Sequence, residues 1–307
     1  MKTTLSKAIH ERVAAITDGV ARRAAGETVL THVPTGLRSF DDRFGGLEIG
    51  ILTLIVGHTG DGKTTFLAHL AKSAAQAGLG VLLVLLEDPM DKLADRVLAA
   101  ITGESANKIA RLQVSPERLQ AAAEHVDWST RIGVVSGNYS PDDVLGILQA
   151  TTLIGGAPLG LVVVDYAQGF LDDEEGMEKM CARMARSLNA VAMERRLAAV
   201  FGSQVKSEVL ARGRSRWERT TGRDEHGPGD IGGFRPGKGD VMWSRRLEQY
   251  AKAVWYLFRP GRWERELGNA AAKDNVIEVN VGKANFSQEG SATFGWDGAT
   301  STVFDKN

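Results

Sequence analysis

Apolar residues recur along this chain in two rhythms. Leu5, Ile9, Val13, Ile16 and Val20 fall at spacings of four, four, three and four, which marks one stripe of an amphipathic helix over residues 4–24. Further on, apolar positions gather into short unbroken runs separated by helical patterns. Strands are predicted at 51–56, 81–86, 131–136, 160–165 and 198–203, and helices at 63–77, 90–101, about 106–126, 141–151 and 175–196. A short helix within 37–47, ended by Gly45-Gly46, precedes the first strand. Runs such as Val81 to Leu86 and Leu159 to Val164 suit strands covered on both faces, so the alternation predicts an α/β fold with a mainly parallel central sheet flanked by helices. After residue 204 the rhythm changes. Strands at about 252–258, 275–282, 291–295 and 301–304 are predicted with no helix between them, forming antiparallel hairpins that extend the sheet at one edge.

The 307 residues are enough to bury a full core. The expected organisation is an N-terminal amphipathic helix with its linker over 1–33 and one large domain over 34–307. That helix needs a surface to cover, on its own domain or on a neighbouring subunit. Lys and Arg number 37 against 38 Asp and Glu, a formal net charge of -1, so the molecule is no polycation and any nucleic-acid site must be a local patch. The single cysteine, Cys181, excludes an intrachain disulfide framework and argues against a cysteine-based zinc site. No apolar run is long enough to span a bilayer and the N-terminus lacks a continuous secretion-type hydrophobic segment. A soluble, cytoplasmic protein is expected.

Chemistry enters with Gly57-His58-Thr59-Gly60-Asp61-Gly62-Lys63-Thr64, set between a predicted strand and a helix that opens with Thr65. Glycines at this spacing let backbone N–H groups turn inward around phosphates, while the helix N-terminus and Lys63 add positive charge and Thr64 offers a hydroxyl to magnesium. The plain alternative is a glycine-rich turn that binds nothing. Leu161-Val162-Val163-Val164-Asp165 ends a strand in a carboxylate suited to organising the metal, a residue that otherwise serves as a turn or cap. Glu87 follows the run 81–86 and is a candidate base for an attacking water, or else a first-turn helix acid. Gln204 closes Ala198 to Ser203 and is a candidate sensor of the terminal phosphate, or else a strand-end cap. In a parallel sheet all of these lie on the carboxyl edge. Between Val205 and Arg246 stand ten Lys or Arg, six Asp or Glu, eight glycines and two prolines. A mobile, basic loop region is predicted there, with Arg212, Arg214, Arg216 and Arg219 as contacts to a nucleic-acid backbone, the alternative being a solvated loop without a ligand.

These residues fall into an ordered set. Pro34-Thr35-Gly36-Leu37, Phe40-Asp41-Asp42, Gly45-Gly46-Leu47, Lys63-Thr64-Thr65-Phe66 and Leu86-Glu87-Asp88-Pro89-Met90 are followed by Asp165-Tyr166-Ala167-Gln168 and Gly202-Ser203-Gln204. Leu247-Glu248-Gln249-Tyr250-Ala251, Val254 to Arg259 and Val281-Gly282-Lys283 complete it. The chain thereby resembles the RecA-like C-terminal motor domain of DnaB-type replicative helicases, over roughly 34–307. The resemblance implies a RecA-like P-loop NTPase fold in which Lys63 and Thr64 hold ATP and Mg2+, Glu87 activates water, Asp165 organises the metal and Gln204 senses phosphate. It implies a homo-oligomeric ring, commonly a hexamer, around single-stranded DNA, with the helix at 4–24 docked on the next subunit and a primase or loader as a further partner. Such motors set a lysine and, two residues on, an arginine from the neighbouring subunit against the terminal phosphate. Lys283 matches the first, whereas Asn285 stands at the second, which leaves Arg245, Arg246, Arg259 and Arg262 as candidate substitutes. The implied activity is ATP-dependent DNA unwinding in replication. The alternative is a RecA-fold regulatory or loader ATPase that controls protein assembly without unwinding.

Overall fold

The computed structural model describes residues 4–27, 29–165, 176–221, 229–242, 245–285 and 288–306. Tyr166-Ala167-Gln168, Gly227-Pro228 and the Arg245 side chain lie outside the described residues. The chain divides into two compact units, residues 1–32 and 33–307. In the first, helix α1 (Leu5–Ala24) starts where the Thr4 hydroxyl accepts the Lys7 N–H at 3.3 Å. Its apolar stripe remains 49% to 76% exposed at Leu5, Ile9, Val13, Ile16 and Val20.

From residue 32 onward the chain runs through β1 (His32–Val33), α2 (Arg38–Phe44), β2 (Leu47–Glu48), β3 (Leu52–Gly57) and α3 (Lys63–Gln76). Next come β4 (Gly80–Leu85), α4 (Met90–Thr102), α5 (Ala106–Ala110), α6 (Pro116–Ala123), β5 (Ile132–Ser136) and α7 (Pro141–Ala150). After β6 (Leu153–Ile154) it continues with β7 (Ala157–Asp165), α8 (Met177–Arg195), β8 (Ala198–Gln204) and α9 (Ser207–Thr220). The final elements are α10 (Arg245–Tyr250), β9 (Ala253–Phe258), α11 (Pro260–Glu266), β10 (Val276–Lys283), β11 (Gly290–Asp297) and β12 (Thr302–Phe304).

The main sheet has the order β12-β11-β10-β9-β3-β8-β7-β4-β5. The six strands from β9 to β5 are parallel. β10, β11 and β12 add antiparallel strands beyond β9, as the hairpin expectation has it. Every residue of β3, β4 and β9 is buried. Side chains alternate between two apolar layers: Leu54 and Val56 face Met180, Met184 and Leu188 of α8, while Ile55 joins Phe66, Leu67 and Leu70 of α3. Cys181 packs in the first layer, where burial pushes its thiol up to about 12; it is a packing residue.

Three expectations need correction. The helical stretch 106–126 is broken, because Leu112 turns left-handed at φ 58° and Ser115 then caps a new helix whose first residue is Pro116. A helix does separate two C-terminal strands. α11 begins with Pro260 at its first position and buries Trp263. Most importantly, the basic region is not all loop. Residues 207–220 form α9, which buries Val209 and Gly213. Gly213 is small because a Cβ there would lie 2.3 Å from the Phe234 ring, so this helix packs closely on the 231–234 turn.

Candidate functional site

The loop from β3 to α3 turns through Gly60 at φ 84° and Gly62 at φ 87°. At Gly62 a Cβ would also fall 2.4 Å from the Trp296 ring, so only glycine fits. Lys63 opens α3 directly behind it. Because β3, β4, β7, β8 and β9 run parallel, their carboxyl ends deliver the loop, Glu87, Asp165, Gln204 and Arg259 to one edge. There they line a cavity of about 320 Å³, together with Thr59, Thr64, Thr65, Arg96 and Trp296. The phosphate loop, the carboxylates and the glutamine singled out in the sequence therefore converge.

Lys63 is buried, and its Nζ donates to the Gly57 carbonyl at 2.9 Å and the His58 carbonyl at 3.0 Å. Burial pulls its pKa below that of an ordinary lysine, against the attraction of Asp165, Asp61 and Glu87. Asp165, 4% exposed, shows the opposite effect. Burial raises its carboxyl to about 6, although a hydrogen bond from Thr64 and the charge of Lys63 favour ionisation. Its Oδ1 is buried without a hydrogen-bond partner among the described residues. An orphaned carboxylate oxygen beside a threonine hydroxyl is a donor set that fits a hard divalent cation. Among the described residues no cluster of three His, Cys, Asp or Glu side chains would chelate a metal alone, so a cation here also depends on phosphate and water oxygens.

Two loop side chains assigned to the ligand instead build the loop. His58 is buried, its Nε2 lies 2.8 Å from the Phe234 carbonyl, and its ring meets Trp263 edge-on at 4.7 Å. Burial pushes the imidazole down to about 4, which keeps it neutral. Asp61 is fully buried, accepts from Arg262 Nη1 at 2.6 Å and from Trp263 Nε1 at 3.4 Å, and is raised by burial to about 6. Neither side chain lines the cavity, and Gly57 does not either. Arg259, proposed from sequence as a substitute finger, reaches this chain's own loop. It donates to the Gly60 carbonyl at 2.8 Å, pairs with Asp274 and lies 4.4 Å over the Trp296 ring. Arg262 is committed to Asp61 and Arg246 lies in α10, outside the cavity.

Lys283 also lies outside the cavity, where Nζ donates to the carbonyls of Glu248 at 2.7 Å and Ala251 at 2.6 Å. Asn285 donates to Glu48 at 2.9 Å. On α9, Arg212 pairs with Asp240 at 2.9 Å and donates to the Gly233 and Arg235 carbonyls, while Arg216 pairs with Asp230. Arg219 donates within its own helix, and Arg214 is exposed without a partner among the described residues. Two of the four arginines are thus fixed in local ion pairs. Sequence reasoning missed Arg96 and Trp296. Arg96 carries a helix-face signal, eight residues after Asp88 and four after Lys92, but no motif marks Trp296.

The DnaB-like helicase C-terminal domain family matches this chain over residues 32–305. The chain belongs to that family. Among DnaB relatives, the replicative DNA helicase DnaB of Rhodothermus marinus is 31% identical over 196 residues, 60% of this chain and 20% of its own length. DnaB of Helicobacter pylori strain J99 is 22% identical over 270 residues, 86% of this chain and 51% of its own. The chain therefore spans a fifth to a half of these relatives. A solved structure of a DnaB-like replicative helicase superposes with a TM-score of 0.74 at 19% identity, covering all of this chain and 68% of its own. A solved ATPase domain superposes with a TM-score of 0.79 at 19% identity, covering all of both chains. The fold is therefore RecA-like α/β, as in DnaB-like ATPase domains. Among the described residues no helix is long and apolar enough to cross a membrane.

Proposed function

We propose that this DnaB-like domain is a ring-forming ATP hydrolase that moves on single-stranded DNA and unwinds duplex during replication, in the cytoplasm. The observation that carries the reading is the convergence of Lys63, Thr64, Glu87, Asp165 and Gln204 on one polar cavity at the carboxyl edge of the sheet. Lys63 leaves its loop carbonyls to bind the terminal phosphates, and backbone N–H groups of Thr59 to Thr65 surround them. Thr64 and the orphaned oxygen of Asp165 would hold Mg2+, which neutralises phosphate charge when bound. Glu87 accepts a proton from the attacking water as its oxygen bonds to the terminal phosphorus, and the bond from phosphorus to the ADP oxygen breaks. Gln204 hydrogen-bonds the terminal phosphate and loses that contact on its release.

The exposed stripe of α1 docks on a neighbouring subunit, which makes residues 1–33 a linker and 34–307 the motor. The family's ring is commonly a hexamer, and Lys283 would serve the neighbour's nucleotide. Arg212, Arg214, Arg216 and Arg219 contact the DNA backbone; a primase or loader would bind elsewhere. The test is ATPase activity with and without single-stranded DNA, strand displacement, and the mass of the nucleotide-bound assembly. DNA-stimulated turnover, displaced strand and an oligomer support the reading. Turnover indifferent to DNA with no displacement would favour the regulatory ATPase instead.

A further inference from the structure

Arg96 is the cavity-lining cation that no motif announces. It stands in the second turn of α4, where side chains lean toward the helix N-terminus. Its Nη1 donates back to Asp88 Oδ2 at 2.8 Å, while Lys92 donates to Oδ1 of the same carboxylate at 3.1 Å. The Asp88 carbonyl accepts in turn from the Ser136 hydroxyl at 3.2 Å. Partial burial opposes ionisation of Asp88, yet the hydrogen bonds from Arg96 and Lys92 hold its carboxyl below the ordinary value. The pair lies close enough to Asp165 for both charges to act on it. With Thr65 and Ser301, Arg96 marks the boundary between the polar cavity and a smaller apolar one of about 130 Å³ between α3 and α4.

A pair at 26% and 18% exposure is largely buried, so desolvation of both charges offsets much of its attraction and its net contribution to folding is small. Its geometry does something else: it fixes a guanidinium at the wall of the cavity that Lys63 and the phosphate loop also line. Among the described residues Asp88 takes one of the five N–H donors, and the planar fork of the others matches phosphate oxygens.

We propose that Arg96 is a second phosphate-binding cation of the nucleotide site, supplied by the same subunit as Lys63 and steadied by Asp88. The assignment rests on the nucleotide reading above and adds a residue to it. Because Asp88 pre-orients the side chain, little rotamer freedom is lost when phosphate arrives.

The test titrates a fluorescent ATP and a fluorescent ADP into wild type, Lys63→Ala, Arg96→Ala, Arg96→Lys and Asp88→Asn, with melting of each protein free and nucleotide-bound. Arg96→Ala is expected to weaken both ligands about tenfold, as loss of a charge-assisted hydrogen bond does. Arg96→Lys recovers part of this, Asp88→Asn falls between, and added guanidinium ion restores binding to Arg96→Ala. The nucleotide-free melting point stays near wild type while the nucleotide-induced shift shrinks. Wild-type affinity in Arg96→Ala, or a loss that only parallels a lowered nucleotide-free melting point, overturns the assignment. If wild type binds no more than Lys63→Ala, the nucleotide reading itself fails and takes Arg96 with it; binding by wild type but not Lys63→Ala, with Arg96→Ala unaffected, sinks the Arg96 assignment alone.

Discussion

Replacing Asp165 with asparagine should make the nucleotide-free protein more stable while destroying its use of magnesium. Burial raises the Asp165 carboxyl to about 6, against 3.8 in an unfolded chain. A raised acid pKa means that the folded state resists ionisation, so stability present below the unfolded value is lost as pH rises through about 4 to 6. Two units at 1.36 kcal/mol each give a penalty of about 3 kcal/mol that is complete by pH 8. It falls to roughly half near pH 5 and to a few tenths of a kcal/mol at pH 4. Asparagine keeps the shape and carries no charge. Asp61 is also raised to about 6, but it is present in both proteins and cancels in the comparison. For 307 residues the unfolding entropy is about 0.6 kcal/mol/K, so 3 kcal/mol corresponds to roughly 5 °C. Urea unfolding in chelator at pH 4, 5 and 8 reads the difference directly. Asp165→Asn no more stable than wild type at pH 8, or equally advantaged at pH 4, would refute the burial argument. Magnesium with nucleotide should reverse the ranking, since only the wild-type site gains by binding.

Glu87→Gln should leave nucleotide affinity within a few-fold of wild type and lower turnover about a hundredfold or more, read by single-turnover phosphate release; equal turnover removes Glu87 from the chemistry. Arg214→Ala with Arg219→Ala should weaken single-stranded DNA binding and lower its salt dependence by between one and two ions, measured by anisotropy at several salt concentrations. An unchanged slope would place the DNA elsewhere. Gly213→Ala drives a Cβ to within 2.3 Å of the Phe234 ring and should cost about 1–3 kcal/mol in urea unfolding; a neutral result would mean that α9 is free to move off that turn.

The alternation of buried runs and helical patterns carried the parallel sheet and its active edge, because strands covered on both faces write themselves as unbroken apolar stretches. Glu87, Asp165 and Gln204 were legible for the same reason: each follows such a stretch. Composition misled where side chains settle structure at long range. The glycines and arginines of 205–246 read as loop, yet 207–220 is helix, Gly213 is a packing notch for Phe234 and Arg212 a clamp on residues 233–240. The stretch between the strands expected at 252–258 and 275–282 read as a connection without a helix, whereas Pro260 starts one there. His58 and Asp61 sit inside a phosphate-loop pattern that fixes their backbone but says nothing of side chains turned toward Trp263.

Those inward-turned side chains have a consequence for how the protein is made. Asp61 meets Arg262 across 201 positions of sequence, and Gly60 meets Arg259 across 199. Trp296, later still, closes the wall against Gly62. A nascent chain emerging from the ribosome spells out the phosphate loop early but lacks the residues that brace it until most of the chain has been synthesised. Contacts this distant form slowly, so competence for nucleotide should appear late and all at once.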